Sequence, residues 1–262
     1  MSPGTDDHAD HHSADSAGVP WEGRSFQENT HANDDGSADP TLLAALIAFR
    51  DGAGDQVAIV DAYRSARLLI PLVAGKGEEG VAPNGLTVDK TQELSIVTVA
   101  APDGRRVQPV FTSVETLQRW DPAARPVPAE GLRTALAAVQ DDTDLIVIDP
   151  TSDTEHVLRR PAVWAIGQGQ PWEPSFHSAD VYRGLQESIG GELAVLDLEI
   201  EAGDPTARLR GPELVVRLHL IDGLEKSELD AVLSRLATRW ASDDRIAVLV
   251  DSLTVKLVRS TP

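Results

Sequence analysis

Two runs in the C-terminal part of the chain, ELAVLDLEIE at residues 192–201 and PELVVRLHLI at residues 212–221, alternate apolar and polar side chains. Successive residues of a strand point to opposite faces, so a two-residue period demands a sheet with one face covered and the other wet. In the first run Ala194, Leu196, Leu198 and Ile200 alternate with Val195, Asp197, Glu199 and Glu201; in the second, Leu214, Val216, Leu218 and Leu220 alternate with Val215, Arg217 and His219. Helices must cover the apolar face. SADVYRGLQESI and LEKSELDAVLSRLATRW supply them, the latter with the stripe Leu229, Val232, Leu233, Leu236 and Trp240 and a start that reads as a capping box from Asp222 to Glu225. RIAVLV and TVKLV then read as two short strands, and the order αββαββ predicts an open-faced α+β sandwich. Its open face gathers Asp197, Glu199, Glu201, Arg217 and His219 as cross-strand charge pairs, a candidate surface for a partner.

The Pro- and Gly-rich stretch GQGQPWEP separates this unit from what precedes it and places a domain boundary near residue 170. Upstream, ADPTLLAALIAFRDG reads as a helix capped by Asp39, DQVAIVDAYRSA as a second helix, and RLLIPLV as a strand whose Pro71 argues for an edge or irregular position. ELSIVTVA and VQPVF flank Asp103-Gly104, a hairpin signal. A short helix over Val114 to Trp120 follows, then DPAARPVP, and then a helix over AEGLRTALAAVQ with Leu132, Leu136 and Val139 on one side. TDLIVIDP is a buried strand that HVLRR returns across a turn. The expectation is two small mixed α/β domains, 39–169 and 170–262, behind a tail of residues 1–38.

That tail holds nine acids and one base within its first 39 residues, a local balance of −8 in a chain of net charge −19. It is poor in branched apolar residues, so it cannot bury enough surface to offset the entropy of ordering, and disorder is expected. Trp21 and Phe26 are its exceptions; WEGRSF, with Arg24 between them, reads as a strap on the protein's own surface or as a short linear motif for another protein. The acidity disfavours nucleic acid and anionic membranes as partners. No apolar run is long enough to cross a bilayer, and the N-terminus lacks the pattern of a signal peptide. Cysteine is absent, which removes disulfides, thiolate metal sites and a Cys nucleophile, and fits a reducing compartment.

Chemistry-bearing motifs are each matched by a plainer reading. At the corner PVFTSVETLQRW, Ser113 has Phe111 and Glu115 where a nucleophile elbow requires small residues. A cap explains the corner instead, with Thr112 as N-cap, Glu115 answering it and Ser113 beside them. His8, His11 and His12 lie in the floppy tail, which favours only adventitious metal binding, and no other histidines share ligand spacing. VAGKGEEG lacks the Ser or Thr and the earlier Gly of a phosphate loop; GQGQPW has Trp172 where a dinucleotide fingerprint needs Gly. Asp34, Asp35 and Asp39 around Gly36 do not match a calcium loop. No catalytic residue, cofactor or metal is therefore assigned.

The run VQPVFTSVETLQRW, the later LIVIDP, and the preceding helix and strand LLIPLV together resemble the SseB-type N-terminal domain family of bacteria, and the tail pieces WEGRSF and DDGSADPTLLAAL are similar to the versions of it found in high-GC Gram-positives. At Asp149 many members of that family look to have Asn before the Pro. The resemblance implies a bacterial cytoplasmic protein with no established catalytic set, cofactor or substrate. The expected function is a non-catalytic interaction or regulatory protein that meets a protein partner or its own copy. Two other readings stand beside it: a hydrolase or transferase joining Ser113 to His156 and to Asp149 or Asp153, and a small-molecule sensor with a pocket between the domains.

Overall fold

A computed structural model describes residues 34–74, 79–81, 87–89, 94–96, 98–101, 104–141, 143 and 145–259. Trp21, Arg24 and Phe26, the histidines of the tail, the centre of VAGKGEEG and Asp103 lie outside the described residues. Helices α1 (Pro40–Arg50) and α2 (Gln56–Ser65) start on aspartates: Asp39 Oδ1 accepts from the Thr41 and Leu42 amides at 2.9 and 3.0 Å, and Asp55 Oδ1 from the Ala58 amide at 2.9 Å.

Strand β1 (Arg67–Ala74) follows, then three short strands, β2 (Glu79–Val81), β3 (Thr87–Asp89) and β4 (Leu94–Ile96), then the hairpin β5 (Val99–Ala100) and β6 (Arg106–Val110). Helix α3 (Val114–Trp120), strand β7 (Arg125–Glu130), helix α4 (Gly131–Gln140), strands β8 (Leu145–Ile148) and β9 (His156–Leu158) and helix α5 (Arg160–Gly167) complete the first half. A four-stranded sheet runs β5-β6-β8-β9, with β6 and β8 parallel; a second runs β4-β1-β7, and β2 pairs with β3.

Strand β1 is central in its sheet, so of the edge or irregular position that Pro71 suggested the irregular one holds: on the side away from β7, β4 pairs only from Leu72 onward and Leu69 makes an isolated bridge to Phe111. Leu69 directs both its amide and its carbonyl at Phe111, at 2.8 and 2.9 Å, so Pro71, two residues on, turns its missing donor to that same side and away from β7. Strand β7 lies inside a stretch that reads as a connection because of its prolines. Pro126 and Pro128 stand opposite Pro71 and Leu69, positions that make no ladder bond to β1, so they face the free edge of β7 and block it.

The main core joins Leu42, Leu46, Ile59 and Tyr63 of the first two helices to Leu68, Val110, Ile146 and Ile148 of the strands and Val163 and Ile166 of α5. Helix α4 packs onto it with its small face. Gly131, Thr134, Ala135 and Ala138 are buried, whereas Leu132, Leu136 and Val139 are 38, 42 and 43% exposed. The inversion has a steric cause: a Cβ at Gly131 would stand 1.7 Å from the Tyr63 carbonyl oxygen, and Tyr63 meets the Thr134 hydroxyl at 2.5 Å. So close an approach admits no leucine on that face.

The second half runs α6 (Ala179–Ile189), β10 (Val195–Ala202), β11 (Leu214–Leu220), α7 (Lys226–Ser242), α8 (Asp244–Leu249) and β12 (Leu253–Arg259). The fold is α+β, but this half is αββααβ and not αββαββ. RIAVLV forms most of α8, capped by Asp243, whose Oδ1 accepts from the Arg245 amide at 2.9 Å; a six-residue apolar run does not by itself distinguish strand from helix. Helices α7 and α8 then form the crossover that lets β12 pair in parallel with β11, in the order β10-β11-β12. The cap of α7 is Glu225 answered by Glu228, not Asp222 answered by Glu225.

A bulge also corrects the alternation at the start of β10. Register jumps between Val195 and Asp197, so Val195 enters the core opposite Leu220 and Leu196 is left 55% exposed. From Asp197 onward the expected phase holds. Leu198, Leu214, Val216 and Leu218 are buried with Val232, Leu236 and Trp240 of α7.

Candidate functional site

The corner after β6 is organised by Asp149. This side chain is 0% exposed; its Oδ1 accepts from the Thr112 amide at 2.8 Å, and its Oδ2 accepts from the Thr112 hydroxyl at 2.7 Å and the Thr154 hydroxyl at 2.9 Å. The Asp149 amide in turn donates to the Val110 carbonyl at 2.9 Å, and its backbone stands at φ 46°, a left-handed conformation that Asp and Asn tolerate best among non-glycine residues. One carboxyl thus ties the end of β6 to the end of β8.

Ser113, not Thr112, caps α3. Its Oγ accepts from the Thr116 amide at 3.2 Å, and its own amide donates to the Thr116 hydroxyl at 3.3 Å. Glu115 does not answer the cap; it pairs with Arg119 one turn along the exposed side of the helix. The sequence reading erred by one residue because both Thr112 and Ser113 are good caps, and only the burial of Asp149 decides which hydroxyl is already engaged. Among the described residues, Ser113 Oγ bonds to no imidazole, and Asp149 is committed to two threonines. The triad of Ser113, His156 and Asp149 is not assembled.

His156 has a separate environment. Its ring is 1% exposed, lies edge-on to Phe49 at 5.0 Å between centroids, and has neither nitrogen hydrogen-bonded. Burial lowers its pKa to about 3, with the charge of Asp204 opposing and that of Arg208 assisting. The sign of the linkage follows: below pH 6.5 the unfolded chain takes up a proton that the folded chain refuses, so stability falls as pH falls. The expected slope is about 1.4 kcal/mol per pH unit through that range. Urea midpoints of the wild type and of His156→Phe, measured between pH 5 and 7, check this; the variant is expected to flatten the slope.

The open face of the second sheet places its predicted residues together. Asp197 pairs with His219 and Glu199 with Arg217 in register. Arg217 reaches Glu199 at 3.5 Å and Glu201 at 3.6 Å, His219 reaches Glu199 at 3.5 Å, and Lys256 of β12 reaches Glu201 at 3.0 Å. Hydrogen bonding to Lys256 lowers the Glu201 pKa. This face is largely neutralised by its own cross-strand pairs.

Sequence reasoning missed a buried ion network at residue 159. Arg159 donates to Asp204 at 2.8 Å, Asp251 at 3.0 Å, the Gly211 carbonyl at 2.9 Å and the Ser252 hydroxyl at 3.2 Å, while Arg105 reaches Asp251 at 2.7 Å. Burial raises the Asp251 carboxyl, but the bonds and charges of Arg105 and Arg159 outweigh it and hold the group below the usual range. Glu213 nearby is raised by burial, although the Asp251 and Ser175 amides donate to it at 2.6 and 3.4 Å. No local signal marks these residues, because the partners come from four separated segments.

Trp164 is 42% exposed on α5. Among the described residues no group of three His, Asp or Glu side chains is placed to hold a metal ion, and no helix is long and apolar enough to cross a membrane. A comparison with curated proteins finds no match. Residues 42–165, from α1 into α5, match the family model of the SseB protein N-terminal domain, so the first half of the chain carries an SseB-type domain.

Proposed function

We propose that the protein is a non-catalytic interaction protein of the bacterial cytoplasm and that α4 presents its contact to a heterologous protein. The observation behind this reading is the inverted helix: Leu132, Leu136 and Val139, one stripe at helical spacing, are left half in water. A Cβ at Gly167 of α5 would lie 3.5 Å from Leu136, and Trp164 stands one turn before it on α5. Scattered exposed leucines need no explanation, but the whole apolar face of one helix does. A net charge of −19 penalises the approach of a second copy, so a partner with a neutral or basic rim fits better than self-association.

The test compares three proteins for binding to a purified partner first captured from the host: the wild type, Leu132→Ser/Leu136→Ser, and Asp197→Asn/Glu199→Gln on the sheet face. The leucine variant is expected to lose at least tenfold in affinity while losing about 2–3 kcal/mol of stability, since each side chain is a little more than half buried, so binding is measured where the variant remains folded. A loss confined to the sheet-face variant would move the contact to Asp197, Glu199, Glu201, Arg217 and His219. Sedimentation of the wild type should show a monomer; a dimer dissociated by the leucine changes would make the partner a second copy. Deleting residues 1–33 tests whether Trp21, Arg24 and Phe26 add a second contact. The deletion stops there because the Gly36 carbonyl accepts from the Val114 amide at 2.9 Å and belongs to the α3 corner.

A further inference from the structure

The end of α1, the turn between β8 and β9, and the loop between β10 and β11 enclose a cavity of about 460 Å³. That volume falls within the range of small-ligand sites. Three guanidinium side chains line it in a chain dominated by acids. Arg208 donates to the Ser152 and Asp153 carbonyls at 3.1 and 2.9 Å and, among the described residues, pairs with no carboxylate. Arg210 is exposed and, among the described residues, makes neither an ion pair nor a hydrogen bond. Arg50 has Asp51 at 2.9 Å.

Two acids also line the cavity. Glu155 accepts from the Thr151 amide at 2.6 Å, which leaves it turned into the β8–β9 turn, and Asp153 is exposed with its charge acting on Arg50. Leu46 and Phe49 of α1 and Pro205 of the loop add an apolar part to the lining. The buried His156 ring completes the lining with two unpartnered nitrogens, and buried polar groups without partners are rare in folded proteins.

We propose that this cavity binds a small organic anion, a carboxylate or phosphate on an apolar body, with Arg208 and Arg210 meeting the charged group and Leu46 and Phe49 the body. A guanidinium fork matches the oxygens of either group. A ligand seated here would touch α1, the β8–β9 turn and the β10–β11 loop at once. The site is separate from the α4 stripe and does not depend on it.

Calorimetric titration of the full chain tests the proposal, with benzoate and phenyl phosphate as probes and benzyl alcohol and inorganic phosphate as controls. Saturable one-to-one binding of at least one aryl anion is expected, together with a shift of the His156 ring-proton resonances. The affinity should fall at least tenfold in Arg210→Gln, a change at an exposed and unpaired position, and in Thr206→Trp, which fills an exposed part of the lining. Absence of saturable binding by both aryl anions overturns the proposal, as does binding unchanged in both variants. Equal binding of benzyl alcohol would overturn the role of the cations, and equal binding of inorganic phosphate that of the apolar lining.

Discussion

Replacing Asp149 by alanine is expected to destabilise the protein by about 3–5 kcal/mol, measured as the urea midpoint of unfolding. Three donors end on this one buried side chain: the Thr112 amide, the Thr112 hydroxyl and the Thr154 hydroxyl. Truncation leaves the Thr112 amide and hydroxyl without this partner at a buried position, while the part-buried Thr154 hydroxyl keeps Ser152 Oγ at 3.0 Å, and the cost of an unsatisfied buried donor exceeds the net gain from making the bond. Asp149→Asn keeps the shape, one acceptor oxygen and a side chain that tolerates φ 46°, so it should cost only about 1–2 kcal/mol. Equal losses in the two variants would show that the carboxyl is not the organising group, and an alanine effect below about 1 kcal/mol would show that the corner holds without it.

Arg159→Ala is the second large effect, again about 3–5 kcal/mol, because it strips the shared cation from Asp204 and Asp251, whose side chains are each 1% exposed. Arg105 remains on Asp251, whereas Asp204 keeps the Leu209 amide at 2.7 Å and the Thr206 hydroxyl at 3.4 Å, so Asp204 is left without a charged partner. Lysine cannot substitute, since one ammonium does not present a planar fork to two carboxylates and a carbonyl. The acid side has a defined sign. Because the Asp251 pKa is lowered in the fold, its pairing contributes fully above the unfolded value of 3.8 and decays as pH falls through the lower folded value. The share of the difference between wild type and Arg159→Ala that comes from Asp251 should therefore narrow only below about pH 4. A difference that narrows between pH 7 and 5 would indicate that the pairing to Asp251 is not its source.

Much of the local structure was legible because it depends on near neighbours. Asp39 and Asp55 cap the helices they precede, the charge ladder from Glu199 to Arg217 follows from alternation, and LIVIDP is the buried strand β8. The errors share a cause. RIAVLV is helical because Asp243 caps it at the end of α7, and Val195 replaces Leu196 in the core because one bulged residue inverts the phase of everything before it. Prolines hid β7, although they stand on its free side where no donor is needed. Leu132, Leu136 and Val139 have the pattern of a core stripe, yet the close approach of Gly131 to Tyr63 turns them outward.

Residue order alone therefore determined which segments are helix or strand where capping and periodicity agree, the family to which the first half belongs, and the absence of any contiguous catalytic or phosphate-binding motif. Tertiary packing decided which face of α4 meets water, which hydroxyl at the corner is engaged by Asp149, and that Arg208, Arg210 and His156 line one cavity. The physical reason is range. Caps and alternation act within a few residues, whereas burial, ion pairing and cavity shape arise between segments tens of residues apart, such as Thr112 and Asp149 or Ser152 and Arg208, whose separation in the chain no local pattern can bridge.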